Sequence, residues 1–301
     1  MKIGIDLGGS HIAIGVIDES GIIVEKTEKR ILEKEKKDVK NFIEDYIIEN
    51  TNNLRGKYKV SSIGIAIPGT VDSAKIIRSV NLGIEDYSIV EHLKQQISLP
   101  IKIRNDAKCA ALAENQYGSL KKYSRSIFLT LGTGIGGAVI VDNKLLDTGG
   151  LPGCEFGHMI IEKDGIECNC GKKGCFERYA SMKSFKNNLR KELGLDEKTH
   201  GQELFDMIRN NNSQNKNYRK IENTVNEFIQ NLSIGISNLV NIFEPEAIGI
   251  GGSFVYFEEV LLERLKNYIK ENNMLFNPRN ELIIETAILG NDAGMIGATL
   301  I

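Results

Sequence analysis

A dense group of sulfur and imidazole side chains is the chemically most specific feature of the sequence. The run Cys168-Asn169-Cys170-Gly171-Lys172-Lys173-Gly174-Cys175 follows the segment Glu155-Phe156-Gly157-His158. One imidazole and three thiolates can complete a closed tetrahedral zinc site, and the glycines allow the tight turn that brings each sulfur to about 2.3 Å from the metal. The alternative is a set of buried thiols without a metal. The pattern favours a structural Zn²⁺ with four ligands, namely His158, Cys168, Cys170 and Cys175.

Two glycine-rich segments each follow a run of alternating apolar residues. The first reads Asp6-Leu7-Gly8-Gly9-Ser10-His11, and the second reads Gly132-Thr133-Gly134-Ile135-Gly136-Gly137. Residues without a Cβ let backbone N–H groups approach a phosphate closely. A single glycine-rich turn is more often a plain hairpin, but two copies after matching strands favour a pair of phosphate loops that hold a nucleotide.

The pair Asn105-Asp106 stands directly before the Ala-rich stretch Ala107-Lys108-Cys109-Ala110-Ala111. Both residue types are favoured at the N-cap of a helix, because their side-chain oxygens accept hydrogen bonds from unpaired backbone N–H groups. Taken without its surroundings, the pair predicts the start of a helix rather than a catalytic group.

Strand-like and helix-like patterns alternate along the chain and occur in two similar copies. Apolar residues before and after each glycine-rich segment predict two glycine-tipped hairpins. The strand-like residues 63–67, which end in Pro68-Gly69, are matched by residues 247–250, which end in Gly251-Gly252-Ser253. Apolar residues recur at helical spacing in three segments, residues 39–47, 225–240 and 260–269. The sequence therefore predicts an α/β protein with an internal duplication.

A chain of 301 residues is long enough for about two domains. We predict a small N-terminal lobe over residues 1–119 and a large lobe over residues 120–289, which carries nucleotide-binding loops and the cysteine-rich segment. Residues 290–301 are predicted to form a helix that packs back on the first lobe, and the hinge is expected within residues 117–124. Residues 210–217, rich in Asn, Ser and Gln, are predicted to be an exposed loop.

Composition and charge limit the kinds of partner that we expect the protein to bind. A net charge of −2 lacks the large positive excess that is typical of proteins that bind nucleic acid. The chain begins with a strand-like segment instead of a signal peptide, and no apolar run approaches the length of a membrane span. We therefore expect a cytoplasmic protein with neither a nucleic-acid nor a membrane partner. In that reducing compartment, three of five cysteines crowded into one segment favour metal binding over disulfides.

Taken together, both glycine-rich segments, Asn105-Asp106 and the His158–Cys175 region resemble the ROK family of sugar kinases, over essentially the full length of the chain. That family lies in the hexokinase-type, actin-like ATPase superfamily. The resemblance implies a two-lobed ribonuclease H-like fold with duplicated βββαβα units around a central cleft. It also implies ATP, Mg²⁺, a structural Zn²⁺ and a homodimer. Asp106 would be the general base that accepts the proton of a sugar hydroxyl as the oxygen attacks the γ-phosphate.

The resemblance also assigns further residues to ligands. Sugar contacts would come from Gly69, Asn81, Asn105, Asp106, Glu155, His158 and Glu177. Nucleotide contacts would come from Asp6, Gly8, Gly9, Ser10, His11, Gly132, Thr133, Gly134, Gly136, Gly251 and Gly252. His158 would both bind zinc and orient the sugar site, so that the metal would hold a recognition surface in shape.

Four positions depart from the family pattern. His11 stands where a lysine is usual after the first loop, and Ile84 stands where an aromatic residue is common. Leu151 and Cys154 replace small residues shortly before Glu155. These departures concern the shape of the pocket, and hence which sugar is bound.

The resulting hypothesis is an ATP-dependent hexose kinase that acts on glucose at the 6-hydroxyl. N-acetylmannosamine, N-acetylglucosamine, allose and fructose are alternative substrates, because discrimination between sugars rests on single hydroxyl or acetamido groups. Another alternative is a sugar-responsive repressor, which in this family carries an N-terminal helix-turn-helix domain; a first strand that starts at Lys2 would leave no room for one. A sugar sensor without activity is a third alternative, which the retained Asp6, Asp106 and both glycine loops disfavour.

Overall fold

Residues 1–146, 153–276 and 282–301 are described by the computed structural model of the chain. Within these ranges the backbone forms two five-stranded sheets and one three-stranded sheet, with helices between the strands. The predicted α/β class is therefore confirmed.

The first sheet is built around the N-terminal hairpin. Its strands in sheet order are β3 (Ile23–Arg30), β2 (His11–Ile17), β1 (Lys2–Leu7), β4 (Ile63–Ile67) and β8 (Ile101–Asn105). Strands β1 and β2 are antiparallel, whereas β1, β4 and β8 run parallel. Every residue of β4 is buried, as is typical of a parallel strand that is covered on both faces.

The second five-stranded sheet repeats this order. Its strands are β11 (Lys144–Leu145), β10 (Ile135–Val141), β9 (Ser126–Leu131), β12 (Ala247–Gly252) and β13 (Ile283–Thr286). Strand β12 runs parallel to both β9 and β13. In each sheet a glycine-tipped hairpin is followed by two parallel strands, so the predicted duplication and both predicted hairpins are confirmed.

A small antiparallel sheet is inserted between β4 and β8. Its strands are β5 (Thr70–Val71), β6 (Ile76–Ser79) and β7 (Ile84–Tyr87). Gly69, between β4 and β5, has a φ of 104°, a backbone conformation that residues other than glycine rarely adopt. A Cβ at this position would lie 2.4 Å from the Arg78 carbonyl oxygen, so the turn into the small sheet requires glycine.

Helices connect many of these strands in the described part of the chain. They are α1 (Val39–Lys57), α2 (Ile89–Lys94), α3 (Asp106–Gln116), α4 (Glu177–Ala180), α5 (Met182–Leu193), α6 (Gly201–Arg209), α7 (Tyr218–Phe243), α8 (Glu258–Glu271) and α9 (Ala293–Ala298). The three segments with helical spacing form α1, α7 and α8, and residues 210–217 lie in the connection between α6 and α7, as predicted. In the described part of the chain, no helix has both the length and the apolar character needed to cross a bilayer.

Internal contacts divide the chain into two compact units. Unit 1 contains Met1–Ser124, Ala138–Cys154 and Ile288–Ile301, and unit 2 contains Arg125–Gly137 and Glu155–Ala287. The core of unit 1 is rich in isoleucine side chains from β1, β2 and β4, which pack against α1 and α2. The lobe boundaries given above, 1–119 and 120–289, stay a prediction.

Helix α9 packs closely against α3 and β1 inside unit 1. A Cβ on Gly297 would lie 1.7 Å from the Cys109 carbonyl oxygen of α3, and a Cβ on Gly4 would lie 2.1 Å from the Met295 carbonyl oxygen. Glycine at these two positions therefore lets the backbones of α9, α3 and β1 approach each other directly.

Candidate functional site

The predicted ligand-binding residues divide between the two units. Those of unit 1 are Asp6, Gly8, Gly9, Ser10, His11, Gly69, Asn81, Asn105 and Asp106. Those of unit 2 are Gly132, Thr133, Gly134, Gly136, Glu155, His158, Cys168, Cys170, Cys175, Glu177, Gly251 and Gly252.

The first glycine-rich loop connects β1 to β2. The Gly8 N–H donates to the His11 carbonyl oxygen at 2.8 Å, which closes the turn. The His11 imidazole covers this glycine, because a Cβ on Gly8 would lie 2.4 Å from the ring carbon Cε1. Gly9 packs against Asn81, whose Cβ is 2.8 Å from the position that a Cβ on Gly9 would take. The structure thus brings Asn81, a predicted sugar contact, to the first loop. Ser10 of the same loop is exposed.

Asp6 lies at the end of β1 in a surrounding that disfavours its charge. Burial and the nearby negative charge of Asp106 raise the pKa of Asp6 to about 7, against a smaller opposing effect of Lys26. The carboxylate packs on α9, where a Cβ on Gly294 would lie 2.9 Å from the Asp6 Oδ2. The strand register agrees, because Ala66 of β4 pairs both with Asp6 of β1 and with Arg104 of β8, two residues before Asp106. Asp6 and Asp106, which are far apart in sequence, therefore lie at the same end of the first sheet in unit 1.

An ion pair that the sequence did not single out lies beside these carboxylates. The Lys26 Nζ is 2.6 Å from the Asp292 Oδ1 and 3.2 Å from the Glu28 Oε2. Lys26 belongs to the edge strand β3, and Asp292 directly precedes α9. Neither residue lies in a recognisable motif, and only the pairing of the N-terminal sheet with the C-terminal helix brings them together.

Asn105 and Asp106 stand at the junction between β8 and α3. The Asn105 Oδ1 accepts a hydrogen bond from the Lys108 N–H at 3.2 Å, so the predicted N-cap is confirmed. The same amide donates through Nδ2 to the Gly69 carbonyl oxygen at 3.0 Å, which links two predicted sugar-binding residues. The partly buried Asp106 accepts the N–H of Ala107 at 2.8 Å through Oδ1.

The second glycine-rich loop connects β9 to β10 and is held by one hydrogen bond within the loop and one from α5. The Gly132 N–H donates to the Gly134 carbonyl oxygen, and the Gly132 carbonyl oxygen accepts the Lys183 N–H at the start of α5, each at 3.0 Å. A Cβ on Gly134 would lie 2.6 Å from the Glu177 Oε2. The carboxylate of Glu177, a predicted sugar contact, therefore rests on the second loop. Thr133 at the tip is exposed, and Gly136 lies in β10.

Gly251 and Gly252, two of the predicted nucleotide contacts, lie next to the second glycine-rich loop. Because β12 runs parallel to β9, Gly252 is paired with Leu131, the residue before Gly132. Gly252 has a φ of 71°, and a Cβ there would lie 2.6 Å from the Leu131 carbonyl oxygen. Gly251 packs on the ring of Phe128 in the same way. The structure thus brings together two of the segments that were predicted to bind nucleotide.

The histidine and cysteine side chains of the predicted zinc site converge. One ligand atom from each of His158, Cys168, Cys170 and Cys175 lies within 4.8 Å of all the others. The Cys168 Sγ is 3.7 Å from the His158 Nδ1, and the Cys170 Sγ is 3.5 Å from the Cys175 Sγ. A tetrahedral site with bonds of about 2.3 Å requires ligand separations of about 3.8 Å, so the four side chains fit a zinc ion.

The protonation of the thiols is consistent with a site that needs a cation. Burial raises the pKa of Cys175 to about 12 and also raises that of Cys168. The backbone N–H of Lys172 lowers the pKa of the exposed Cys170. Since thiolates are the metal ligands, binding of Zn²⁺ would displace protons from the buried thiols.

Glu177 joins the cysteine group to the second glycine-rich loop. Its Oε1 is 3.4 Å from the Cys168 Sγ, while its Oε2 faces Gly134. Gly157 is also part of this arrangement, because a Cβ there would lie 3.3 Å from the Glu177 Cβ. One carboxylate therefore contacts both the thiols and the loop, which sequence spacing did not predict.

The segment before His158 is only partly described. Glu155 is exposed, and its carbonyl oxygen accepts the His158 N–H at 3.0 Å. Cys154 has a φ of 61°, in the left-handed region that favours glycine. Of the other departures from the family pattern, Ile84 is fully buried at the start of β7, and Leu151 lies outside the described residues.

Known proteins resemble this chain both in sequence and in fold. A glucokinase of Thermotoga maritima is 29% identical over 316 residues, which cover 99% of this chain and 96% of that protein. A xylose repressor of Caldicellulosiruptor bescii is 30% identical over 305 residues, which cover 98% of this chain and 76% of that protein. The solved ROK family glucokinase of Streptomyces griseus, in complex with glucose and AMPPNP, matches with a TM-score of 0.79 and 27% identity, covering 99% and 97% of the two chains.

The family model named ROK matches residues 2–301, which is nearly the whole chain. The structural match to ROK sugar kinases also identifies the fold as that of the actin-like ATPases. The chain therefore belongs to the ROK family.

Proposed function

We propose that the protein is an ATP-dependent hexose kinase, with glucose at its 6-hydroxyl as the first candidate substrate. The observation that carries the proposal is the juxtaposition of Asp6 and Asp106 in unit 1, at the end of the strand that leads into the first glycine-rich loop. The likeness to glucokinases and to the structure with glucose and AMPPNP gives independent support.

Asp106 is assigned the role of general base. Its carboxylate would accept the proton of the sugar hydroxyl as that oxygen attacks the γ-phosphate. Asn105 holds the start of α3 through its cap and binds the Gly69 carbonyl oxygen, so it would fix the orientation of Asp106. Asn81 and Gly69 would contact the sugar from the same unit.

The two glycine-rich loops are assigned to the nucleotide. Backbone N–H groups of both loops would bind the phosphates, because the glycines of these loops carry no side chain of their own. Gly251 and Gly252, beside the second loop, would lie against the adenosine. ATP is used as its Mg²⁺ complex, and that ion neutralises charge that develops on the phosphates.

Zinc is assigned a structural role. His158, Cys168, Cys170 and Cys175 would hold the ion with no open coordination position, and the ion would supply a rigid fold for this segment. The rigid segment orients Glu177, which contacts the Cys168 thiol. Glu155 and Glu177 would then contact hydroxyl groups of the sugar.

A sugar-responsive regulator is the second candidate function. The xylose repressor of Caldicellulosiruptor bescii is as similar to this chain as the glucokinase of Thermotoga maritima, with 30% against 29% identity. Both candidates predict sugar binding, and only the kinase predicts ADP release that depends on sugar. The homodimer implied by the family resemblance is a further part of the proposal, and light scattering on the purified protein tests it.

The deciding experiment offers a panel of sugars with Mg-ATP and measures ADP release. The panel contains glucose, fructose, allose, N-acetylglucosamine, N-acetylmannosamine and xylose, and the Asp106→Asn variant controls for contaminating activity. We expect a sugar-dependent rate with at least one hexose. Sugar binding in calorimetry without ADP release from any member of the panel would favour the regulator instead.

A further inference from the structure

A fully buried carboxylate lies at the C-terminal end of α3. Glu114 is 0% exposed, although charged side chains are almost never fully buried unless they are paired. Its Oε1 accepts the N–H groups of Ile288 and Leu289 at 3.0 and 2.8 Å. Its Oε2 accepts the Ser119 N–H at 2.8 Å and the Ser119 Oγ at 3.2 Å. This single side chain thus accepts hydrogen bonds from four donors.

These donors belong to two segments that are far apart in sequence. Ser119 follows α3 near the end of the first segment of unit 1, and Ile288 is the first residue of its last segment. Ile288 and Leu289 lie after β13 and before α9, so no regular helix or sheet satisfies their N–H groups. The buried Glu114 carboxylate supplies the acceptor for both N–H groups and so completes the hydrogen bonding of this junction.

A carboxylate suits this position better than an amide. Its two oxygens provide lone pairs for all four donors, whereas glutamine has one oxygen and one donating NH₂ group. In Glu114→Gln, the NH₂ group would face either the two donors of Ser119 or the N–H groups of Ile288 and Leu289. The substitution therefore keeps the volume of the side chain and removes about half of its acceptors.

Of the two elements that Glu114 joins, α3 carries Asp106, and α9 contacts Asp6, which belongs to β1. Helix α3 starts at Asp106, and the segment after Leu289 leads to Gly294, which packs on the Asp6 carboxylate. Further along α9, Gly297 packs on the Cys109 carbonyl oxygen of α3. Contacts along both helices fix their spacing, and Glu114 fixes the entry into α9.

We infer that Glu114 is a positioning residue, which anchors the start of the α9 segment on α3 and thereby sets the placement of Asp106 relative to Asp6. The inference rests on the proposed kinase function. It assigns Glu114 no contact with substrate, because the side chain is buried and its oxygens are occupied by the protein's own donors.

The test compares Glu114→Gln with Leu54→Ala in the full chain. Leu54 is a buried residue of α1 in the core of unit 1, away from the α3–α9 junction. We expect Glu114→Gln to lower kcat by about tenfold or more, since small misplacements of reacting groups cost that much, while the sugar Kd from calorimetry changes by less than about threefold. Leu54→Ala is expected to lower Tm with kcat unchanged.

Hydrogen exchange supplies a readout that is independent of activity. The amides of Ile288 and Leu289 should exchange much faster in Glu114→Gln than in the wild type, while amides of β1 and β4 keep their protection. If Glu114→Gln does not fold, Ser119→Ala removes one of the four donors and should give a smaller change in the same direction in both readouts.

Two outcomes would overturn the inference. One is a lower Tm with kcat unchanged in Glu114→Gln, which would make the side chain merely structural. The other is unchanged exchange at Ile288 and Leu289, which would remove the anchor itself. If the wild type phosphorylates no sugar, the proposed function fails instead, and the exchange measurement still decides whether Glu114 is the anchor.

Discussion

The two glycine-rich loops occupy equivalent places in duplicated sheets but have different chemical surroundings. Asp6 stands two residues before Gly8 in the first copy, and Thr130 stands two residues before Gly132 in the second. The first loop follows the buried Asp6 and contacts Asn81, whereas the second contacts Glu177 and, through it, the cysteine group. The duplicated strands set the shape of a loop, and the residues around it set its chemistry.

The difference originates in insertions at different places in the two copies. Between β4 and β8, the first copy carries a small sheet with α2, and this insertion supplies Asn81. Between β11 and β12, the second copy carries the zinc-binding segment and helices α4 to α7. Acid–base chemistry is therefore assigned to unit 1, and metal-supported recognition to unit 2.

The largest expected effect tests the assignment of acid–base chemistry to unit 1. Asp106→Asn should lower kcat by about 10²- to 10⁴-fold, the usual loss when a general base is removed, with Tm and sugar Kd unchanged. Coupled measurement of ADP release checks the rate. The matched control is Asp45→Asn, which changes an exposed aspartate of α1 and should keep the wild-type rate. A near-wild-type rate in Asp106→Asn would remove Asp106 from its role.

The next effect tests the assignment of metal-supported recognition to unit 2. Cys170→Ser or strong chelation should lower the zinc content, reduce Tm by about 5–10 °C and weaken sugar binding, because a structural zinc contributes to folding directly. Elemental analysis, thermal unfolding and calorimetry measure these changes. Cys109→Ala is the control, because Cys109 lies in α3 outside the metal group. Freshly purified wild-type protein without zinc would contradict this prediction.

A pair of glycine substitutions sharpens the comparison within the second loop. In Gly134→Ala the new Cβ would meet the Glu177 carboxylate at 2.6 Å, whereas in Gly132→Ala it would meet nothing within 4 Å. We expect the flexible Glu177 side chain to move away in Gly134→Ala at little cost in free energy of unfolding, and this movement should weaken zinc binding, because Glu177 also contacts the Cys168 thiol. Gly132→Ala should leave the zinc affinity unchanged. Equal zinc affinities for the two variants, measured by titration with a chelator, would show that Glu177 does not rest on the loop.

The smallest expected effect is the pH dependence of protein stability that Asp6, before the first loop, causes. The pKa of Asp6 is raised from 3.8 to about 7, so its contribution to stability is fully present below 3.8 and is lost as the pH rises through about 7. Asp6→Asn removes this titration, so the variant should gain Tm relative to the wild type by a few degrees more at pH 8 than at pH 5. Thermal unfolding of ligand-free protein measures the difference. Asp45→Asn should show no such trend, and a pH-independent difference for Asp6→Asn would contradict the prediction.

Local features were predictable because they depend on few neighbouring residues. The hairpins follow from apolar alternation around glycines, and the zinc ligands Cys168, Cys170 and Cys175 lie within one short turn. The N-cap at Asn105 is also local, since its partner is the Lys108 N–H. By contrast, the polar edge strand β3 was not predicted, because its place depends on pairing with β2 and on side-chain contacts with α1 and Asp292.

Long-range pairs could not be read from spacing. Lys26 meets Asp292, and Glu114 meets Ile288 and Leu289, across most of the chain. The contact of Glu177 with both Cys168 and Gly134 likewise depends on how the zinc-binding segment packs on β9 and β10. No local periodicity carries information about such pairs, because each is created by the packing of separate elements.

The sequence by itself determined the α/β class, the duplication, the two loops and the identity of the candidate metal ligands, since hydrogen bonding and side-chain chemistry within short segments decide these features. Only the tertiary structure decided that Asp6 and Asp106 are neighbours, that Glu177 contacts both a thiol and a glycine loop, and that Glu114 joins α3 to the segment before α9. The physical reason is that a buried charge or a glycine in close contact is defined by what packs against it, and in this protein those partners come from distant parts of the chain.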